Sequence, residues 1–135
     1  MLNGGPIAWQ SKRQPTTALS SAEAEYMGMT EATKLIKYIA SLVCFLSLDT
    51  DSLLINPFQI KTDSTSAMHL ANNPVSSQRS RHINVRYHFI REAIANGEIT
   101  LKFVGTADQW ADVLTKALAL PQFKFLVKRI YGLSG

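Results

Sequence analysis

The sequence predicts an α/β domain, and three observations support this class. Two short segments, PFQIKT at 57–62 and EITLKFV at 98–104, alternate apolar and polar residues as half-buried strands do. Longer segments repeat apolar residues at helical spacing. The predicted order is strand, helix, strand, helix, helix, strand, helix, helix, which favours one layered domain spanning residues 1–135.

The first predicted elements are a turn, a strand and a helix start. Asn3-Gly4-Gly5-Pro6 is typical of a turn, and Pro6–Lys12 follows as a strand. Ser20 or Ser21 is suited to cap a helix that has Glu23 in its first turn.

The apolar run from Leu35 to Leu48 predicts the second half of that long helix, with a break near Ser41. At about 20 residues per membrane span the run is too short, so we interpret it as a core helix and expect no membrane partner. Cys44 lies within it and is expected to be a buried, inert thiol. As Cys44 is the single cysteine, no internal disulfide can form, which suits an intracellular protein, cytoplasmic or nuclear.

The remaining elements come from the same cap, turn and periodicity signals. They are a loop at 49–57, a strand Phe58–Thr62, a helix capped by Ser64 or Thr65 that ends near Ala71, a loop at 75–82, a helix from Asn84 that closes at Gly97, a strand Ile99–Val104, a helix from Asp108 through Lys116, and an amphipathic helix from Pro121.

The charge balance favours a polyanionic partner without requiring one. The chain has 14 Lys and Arg against 10 Asp and Glu, a net charge of +4. Its basic residues form two groups that are suited to grip phosphates or simply to be a solvated surface: Lys12 with Arg13, and Arg79, Arg81 and Arg86.

Three acids stand where a helix meets a strand or a loop. Asp63 follows a predicted strand and is either a metal ligand or a turn and cap residue. Glu25 lies just inside the long helix, where an acid also suits the helix dipole, as Glu23 does. Asp112 shares a predicted helix face with Asp108, the expected cap, so Asp112 is the freer carboxylate.

Taken together, Glu25, Asp63 and Asp112 fit a hydrolase site for two divalent ions. Oxygen ligands favour Mg²⁺ or Mn²⁺. The candidate auxiliary residues are Ser64, Asp108 and His82. His82 is either a proton shuttle or an ordinary helix-start histidine.

Three long strings resemble the ribonuclease H domain of copia-type LTR retrotransposon Pol polyproteins. They are PIAWQSKRQPTTALSSAEAEYMGMTEATK, KTDSTSAMHLANNPVSSQRSRHINVRYHFIREAIANGEI and FVGTADQWADVLTKAL. The resemblance implies an enzyme that cuts the RNA strand of RNA–DNA hybrids, beside the reverse transcriptase portion of a polyprotein. It also implies four acids holding two magnesium ions, of which the second, third and fourth match Glu25, Asp63 and Asp112.

The resemblance further implies a ribonuclease H-like mixed sheet with flanking helices that lacks its first, central strand and most of its second. The first acid of the family belongs to that opening strand, and no Asp or Glu precedes Glu23. We therefore expect impaired catalysis, no assigned role for His82, and an open sheet edge suited to self-association. The alternatives are a non-catalytic remnant that binds nucleic acid weakly and a protein-interaction module.

Overall fold

The structure is a computed structural model, and it describes residues 6–11, 13–14, 17–18, 20–46, 57–72 and 81–132, without the side chains of 81–84. In these ranges the elements are α1 (Ser21–Phe45), β1 (Phe58–Thr62), α2 (Thr65–Asn72), α3 (Arg81–Ala95), β2 (Ile99–Phe103), two 3₁₀ helices (Thr106–Asp108 and Trp110–Leu114) and α4 (Leu120–Ile130). The chain divides into two compact units. The sheet unit is Thr16–Phe103, and the terminal unit is Met1–Pro15 with Val104–Gly135. The mixed α/β class is therefore confirmed.

The two strands form a parallel pair within the sheet unit. Phe58 is in register with Ile99, and Thr62 with Phe103. The backbone N–H of Phe58 donates to the carbonyl of Glu98 at 2.9 Å, which fixes the start of the ladder. Of the three predicted strands, the two at Phe58–Thr62 and Ile99–Val104 are confirmed, the latter ending one residue early at Phe103. The alternating pattern was informative because each strand buries one face only.

Helix α1 begins where its capping residue predicts. The Ser20 hydroxyl accepts the backbone N–H of Glu23 at 3.1 Å, and the helix then runs unbroken for 25 residues. The expected break near Ser41 is wrong. The Ser41 hydroxyl donates to the carbonyl of Lys37 at 2.9 Å, which lets a helix interior accommodate a serine.

The core of the sheet unit lies where α1, α2 and α3 pack against the sheet. Its buried members are apolar residues from all five elements of the unit: Tyr26, Met29, Ile60, Ala67, Ala71, Ile90, Ala93 and Ile99. The small side chains of α2 allow this short helix to pack closely beside α3.

Beyond Ile36, which packs against this core, α1 is more exposed than the sequence suggested. Tyr38 is 64% exposed and Phe45 is 82% exposed. Cys44 is exposed too, so its expected burial is wrong. A helix of 25 residues is about 37 Å long, whereas five-residue strands span about 17 Å, so the two lengths cannot match.

Two further boundaries differ from the prediction. Residues 6–11 form no strand. An alternating sequence indicates which side chains would be buried, but a strand also needs a neighbouring strand to hydrogen-bond with its backbone. Helix α3 begins at Arg81 and not at Asn84. Gly97 ends this segment with a φ of 69°, as the closing-glycine prediction requires.

The terminal unit contains two 3₁₀ helices where one helix from Asp108 to Lys116 was predicted, and that prediction is wrong. The N–H of Asp108 donates to the carbonyl of Gly105 at 2.9 Å, a bond over three residues. Gln109 is extended, with φ −79° and ψ 98°, and separates the two short helices. Helix α4 packs against the second of them and buries Leu126 completely.

Some sequence predictions fall outside the described residues. These are the turn at residues 3–5, the loops at 49–56 and 75–80, and the side chains of Lys12, Arg79, Arg81 and His82. Among the helices that are described, none combines the length and hydrophobicity needed to cross a membrane.

Candidate metal centre

Asp63 follows the last residue of β1 and precedes the cap of α2. The Ser64 hydroxyl accepts the N–H of Ala67 at 3.1 Å, so Ser64 is the capping residue. The backbone N–H of Ser64 in turn donates to the buried Thr62 hydroxyl at 3.2 Å. These two bonds fix the backbone on both sides of the half-buried Asp63. The ligand interpretation of Asp63 stays a prediction.

Glu25 lies on the exposed side of α1, next to the buried Tyr26. Helix α1, which carries Glu25, packs against β1, which directly precedes Asp63, and both acids lie in one compact unit. Both residues take part in further interactions, so neither is an isolated carboxylate.

Asp112 lies in the terminal unit and is 5% exposed. The Lys116 ammonium stands 3.0 Å from each carboxylate oxygen, four residues along the chain. The Asp112 carbonyl also accepts the backbone N–H groups of Thr115 and Lys116, at 3.1 and 2.9 Å. A nearly buried carboxylate is thus paired with a half-exposed cation. The sequence did not indicate the burial of Asp112.

Asp108 is exposed and ends the first 3₁₀ helix, so the structure does not make it the cap of a helix containing Asp112. The second 3₁₀ helix follows Gln109 and has no side-chain cap. The two acids therefore do not share one helix face.

Of the predicted phosphate-binding residues, Arg13 and Arg86 have described side chains. Arg13 is exposed, whereas Arg86 is half-buried in α3. Arg86 lines a shallow cleft in the sheet unit together with Glu23, Tyr26, Met27 and Tyr87. Arg13 is therefore the more exposed of the two side chains.

Two tyrosines that were not among the predicted site residues join α1 to α3 beside this cleft. The rings of Tyr26 and Tyr87 meet edge to face, 4.5 Å apart, and the Tyr26 hydroxyl donates to the Tyr87 carbonyl at 3.3 Å. Arg91 stacks on the Tyr87 ring and donates to the Leu70 carbonyl at 2.9 Å. Burial raises the pKa of Tyr26 well above 10.0, although Arg91 opposes the shift. The four-residue spacing of Tyr87 and Arg91 on one helix was the available signal.

The donor atoms fit a hard divalent cation, since all three candidate ligands are carboxylates. Within either unit, the described residues contain no group of three or more His, Cys, Asp or Glu side chains that could hold a metal ion. Glu25 and Asp63 belong to one unit and Asp112 to the other.

Over most of its length the chain is similar to retrovirus-related Pol polyproteins of transposons. It is 37% identical over 125 residues to the Pol polyprotein from transposon RE2 of Arabidopsis thaliana, covering 93% of this chain and 8% of that protein. The Pol polyprotein from transposon TNT 1-94 of Nicotiana tabacum is 35% identical over 131 residues, with 97% of this chain and 9% of the relative covered.

A yeast polyprotein is similar to the chain at lower identity. The Ty1-DR5 Gag-Pol polyprotein of Saccharomyces cerevisiae is 27% identical over 131 residues, which cover 96% of this chain and 7% of the relative. The chain thus spans less than a tenth of the length of these proteins. No family model and no solved structure matches the chain. The similarities support a retroelement-derived region within a larger polyprotein.

Proposed function

We propose that this region is a retroelement ribonuclease H domain that hydrolyses the RNA strand of RNA–DNA hybrids. The single observation that supports it best is the position of Asp63. This acid lies at the carboxyl end of a parallel strand, where ligand sites collect in α/β sheets, and the helix that carries Glu25 packs on the same strand. The similarity to Pol polyproteins is consistent with this activity.

Each acid has a distinct structural role in the proposal. Asp63 lies between Thr62 and Ser64, whose hydroxyls accept backbone N–H groups and so hold the chain in place on both sides of it. Glu25 projects from the exposed side of a long helix, so its side chain can change rotamer to reach a metal ion. Asp112 is pre-oriented by Lys116, whose ammonium a metal ion would replace. Two bound Mg²⁺ or Mn²⁺ ions would activate a water molecule and stabilise the leaving oxygen.

As a separate polypeptide, these 135 residues supply three carboxylates of the four-acid pattern. We therefore expect weak metal binding and little cleavage from them alone. Supplying a fourth acid should restore both, because a pair of divalent ions needs more negative charge than three carboxylates provide.

The first experiment is a magnesium titration followed by NMR. Joint shifts of Glu25, Asp63 and Asp112 support a common site, whereas shifts at Asp63 alone, or at none of the three, contradict it. Glu92→Gln is the matched control, since Glu92 is an exposed acid of α3 outside the proposed site.

The second experiment measures cleavage of a labelled RNA–DNA hybrid. The chain is joined to the residues that precede the aligned segment in the RE2 polyprotein, so that a fourth acid can be present. Glu25→Gln, Asp63→Asn and Asp112→Asn should each reduce the magnesium-dependent rate by about 100-fold or more, and Glu92→Gln should not. Salt-sensitive binding of the hybrid without any cleavage would instead support a non-catalytic nucleic-acid-binding remnant.

A second candidate function is protein interaction, which the exposed half of α1 favours. Tyr38, Leu42, Phe45 and Leu46 recur at helical spacing and are between 43 and 82% exposed. Sedimentation at increasing concentration tests this function. A stable oligomer that lacks affinity for the hybrid would favour interaction over catalysis.

A further inference from the structure

The face of the sheet that lies away from the core is polar and open to solvent. Gln59 and Lys61 of β1 are exposed and alternate with the buried Ile60. Thr100 and Lys102 of β2 are exposed in the same alternation. We call Gln59, Lys61, Thr100 and Lys102 the lysine face. It carries two positive charges and no negative one.

The strand register brings its members together in pairs. Gln59 is the partner of Thr100, and Lys61 is the partner of Lys102. Paired residues of neighbouring strands project to the same side, and the strands lie about 4.8 Å apart. The two lysine stems therefore leave the sheet side by side. Lys61 also takes part in a further interaction. Two neighbouring ammonium groups attract an anion more strongly than one does.

We propose that the lysine face binds the phosphate backbone of a nucleic acid. Lysines contact phosphates as point charges, and the Gln59 amide and the Thr100 hydroxyl are neutral donors of the kind that contact phosphate oxygens. The net charge of +4 favours the same partner. Lys61 is also two residues before Asp63, so the backbone bound here would lie close along the strand to the candidate metal ligand.

The choice of an RNA–DNA hybrid as the bound polymer rests on the proposed function. The charge argument does not, because any phosphodiester backbone offers the same anions. None of the arginines predicted from the sequence belongs to this face, which is therefore a separate contact.

A structural role for the same lysines makes a different prediction. Lysines on short open sheets prevent pairing with other chains. If that were their whole role, neutralising them would promote self-association and leave the affinity for nucleic acid unchanged.

The test compares two double variants of the full chain that lose the same charge. Lys61→Gln with Lys102→Gln removes the charges of the lysine face. Lys124→Gln with Lys128→Gln removes two exposed lysines of α4 and is the control. All four positions are exposed, so both variants are expected to fold, which circular dichroism checks.

Binding of a fluorescent RNA–DNA hybrid is measured in EDTA over a series of salt concentrations. Losing two phosphate contacts should lower the slope of log affinity against log salt by about 1.8. Between about 50 and 200 mM salt, the wild type should then lose roughly tenfold more affinity than the lysine-face variant. The control should retain most of the wild-type slope.

An equal slope in the two double variants would overturn the proposal, as would self-association of the lysine-face variant with unchanged affinity. Because EDTA removes divalent ions, this result is independent of cleavage. Loss of metal-dependent cleavage with intact binding at the lysine face would contradict the proposed function alone.

Discussion

The ion pair of Asp112 and Lys116 gives the sharpest quantitative prediction. Lys116→Met removes the ammonium but keeps the apolar stem. Exposed pairs at this helical spacing contribute about 0.3–0.5 kcal/mol, whereas breaking a buried pair costs about 3–5 kcal/mol. The Asp112 side chain is 7% exposed and that of Lys116 is 49% exposed. Because water screens the lysine end, we expect a loss of about 1–1.5 kcal/mol of unfolding free energy.

The assay is urea unfolding followed by the fluorescence of Trp110, which lies in the same 3₁₀ helix as Asp112. The chain has two tryptophans, so Trp9→Phe is made first to isolate the signal. A double-mutant cycle with Asp112→Asn then measures the coupling itself, expected near 1 kcal/mol. A coupling below about 0.3 kcal/mol would mean that the pair behaves as a surface pair and would refute the argument from burial.

Repeating the same double-mutant cycle in the presence of magnesium tests metal binding at Asp112. If a metal ion can occupy the place of the ammonium, it should stabilise Lys116→Met more than the wild type. At free magnesium ten times its Kd, the gain is about 1.4 kcal/mol. Equal stabilisation of Lys116→Met with and without Asp112→Asn would show that Asp112 does not bind the metal.

Three further predictions concern the sheet unit. Ser64→Ala should lower the unfolding free energy by about 1 kcal/mol in urea titrations, since it removes the acceptor for the Ala67 N–H, and Ser64→Asp should retain most of it. Burial raises the pKa of Tyr26 above its ordinary 10.0, so its contribution to stability is complete below pH 10 and is lost as pH rises further. Melting temperatures between pH 8 and 11 should therefore fall more steeply for the wild type than for Tyr26→Phe, and parallel curves would contradict this. Gly97→Ala should cost about 1 kcal/mol through its positive φ alone, as nothing lies within 4 Å of an added Cβ, and Gly97→Asn should cost less in the same titration.

The sequence predicted those elements whose signals are local. Ser20 and Ser64 begin helices because their hydroxyls accept N–H groups three residues later, which needs no distant partner. Both strands were placed from alternation, because each buries a single face.

The errors involve interactions between distant segments. No pattern at residues 6–11 could indicate whether another strand was available to pair with them. The apolar residues after Ile36 predicted burial, but α1 is longer than the strands it covers. Gln109 adopts an extended backbone although its residue type does not demand one, so the division into two 3₁₀ helices was not visible in the sequence.

For the candidate site, the sequence indicated which acids are candidate ligands but not how each is buried or paired. Asp63 could be placed at a strand end because its neighbours carry strand and cap signals. The burial of Asp112 depends on how the second 3₁₀ helix packs in three dimensions, which a charged residue on a predicted exposed face does not reveal.

The parallel pairing of β1 with β2 also constrains the order in which the chain can fold. Phe58 meets Ile99 about forty residues later, and the intervening chain contains α2 and α3. During synthesis β1 leaves the ribosome before β2 has been made. Its backbone therefore stays unpaired until α2, α3 and β2 have followed. Contacts of such long sequence separation slow folding, and β1 is therefore the segment for which early aggregation competes most directly with completion of the sheet.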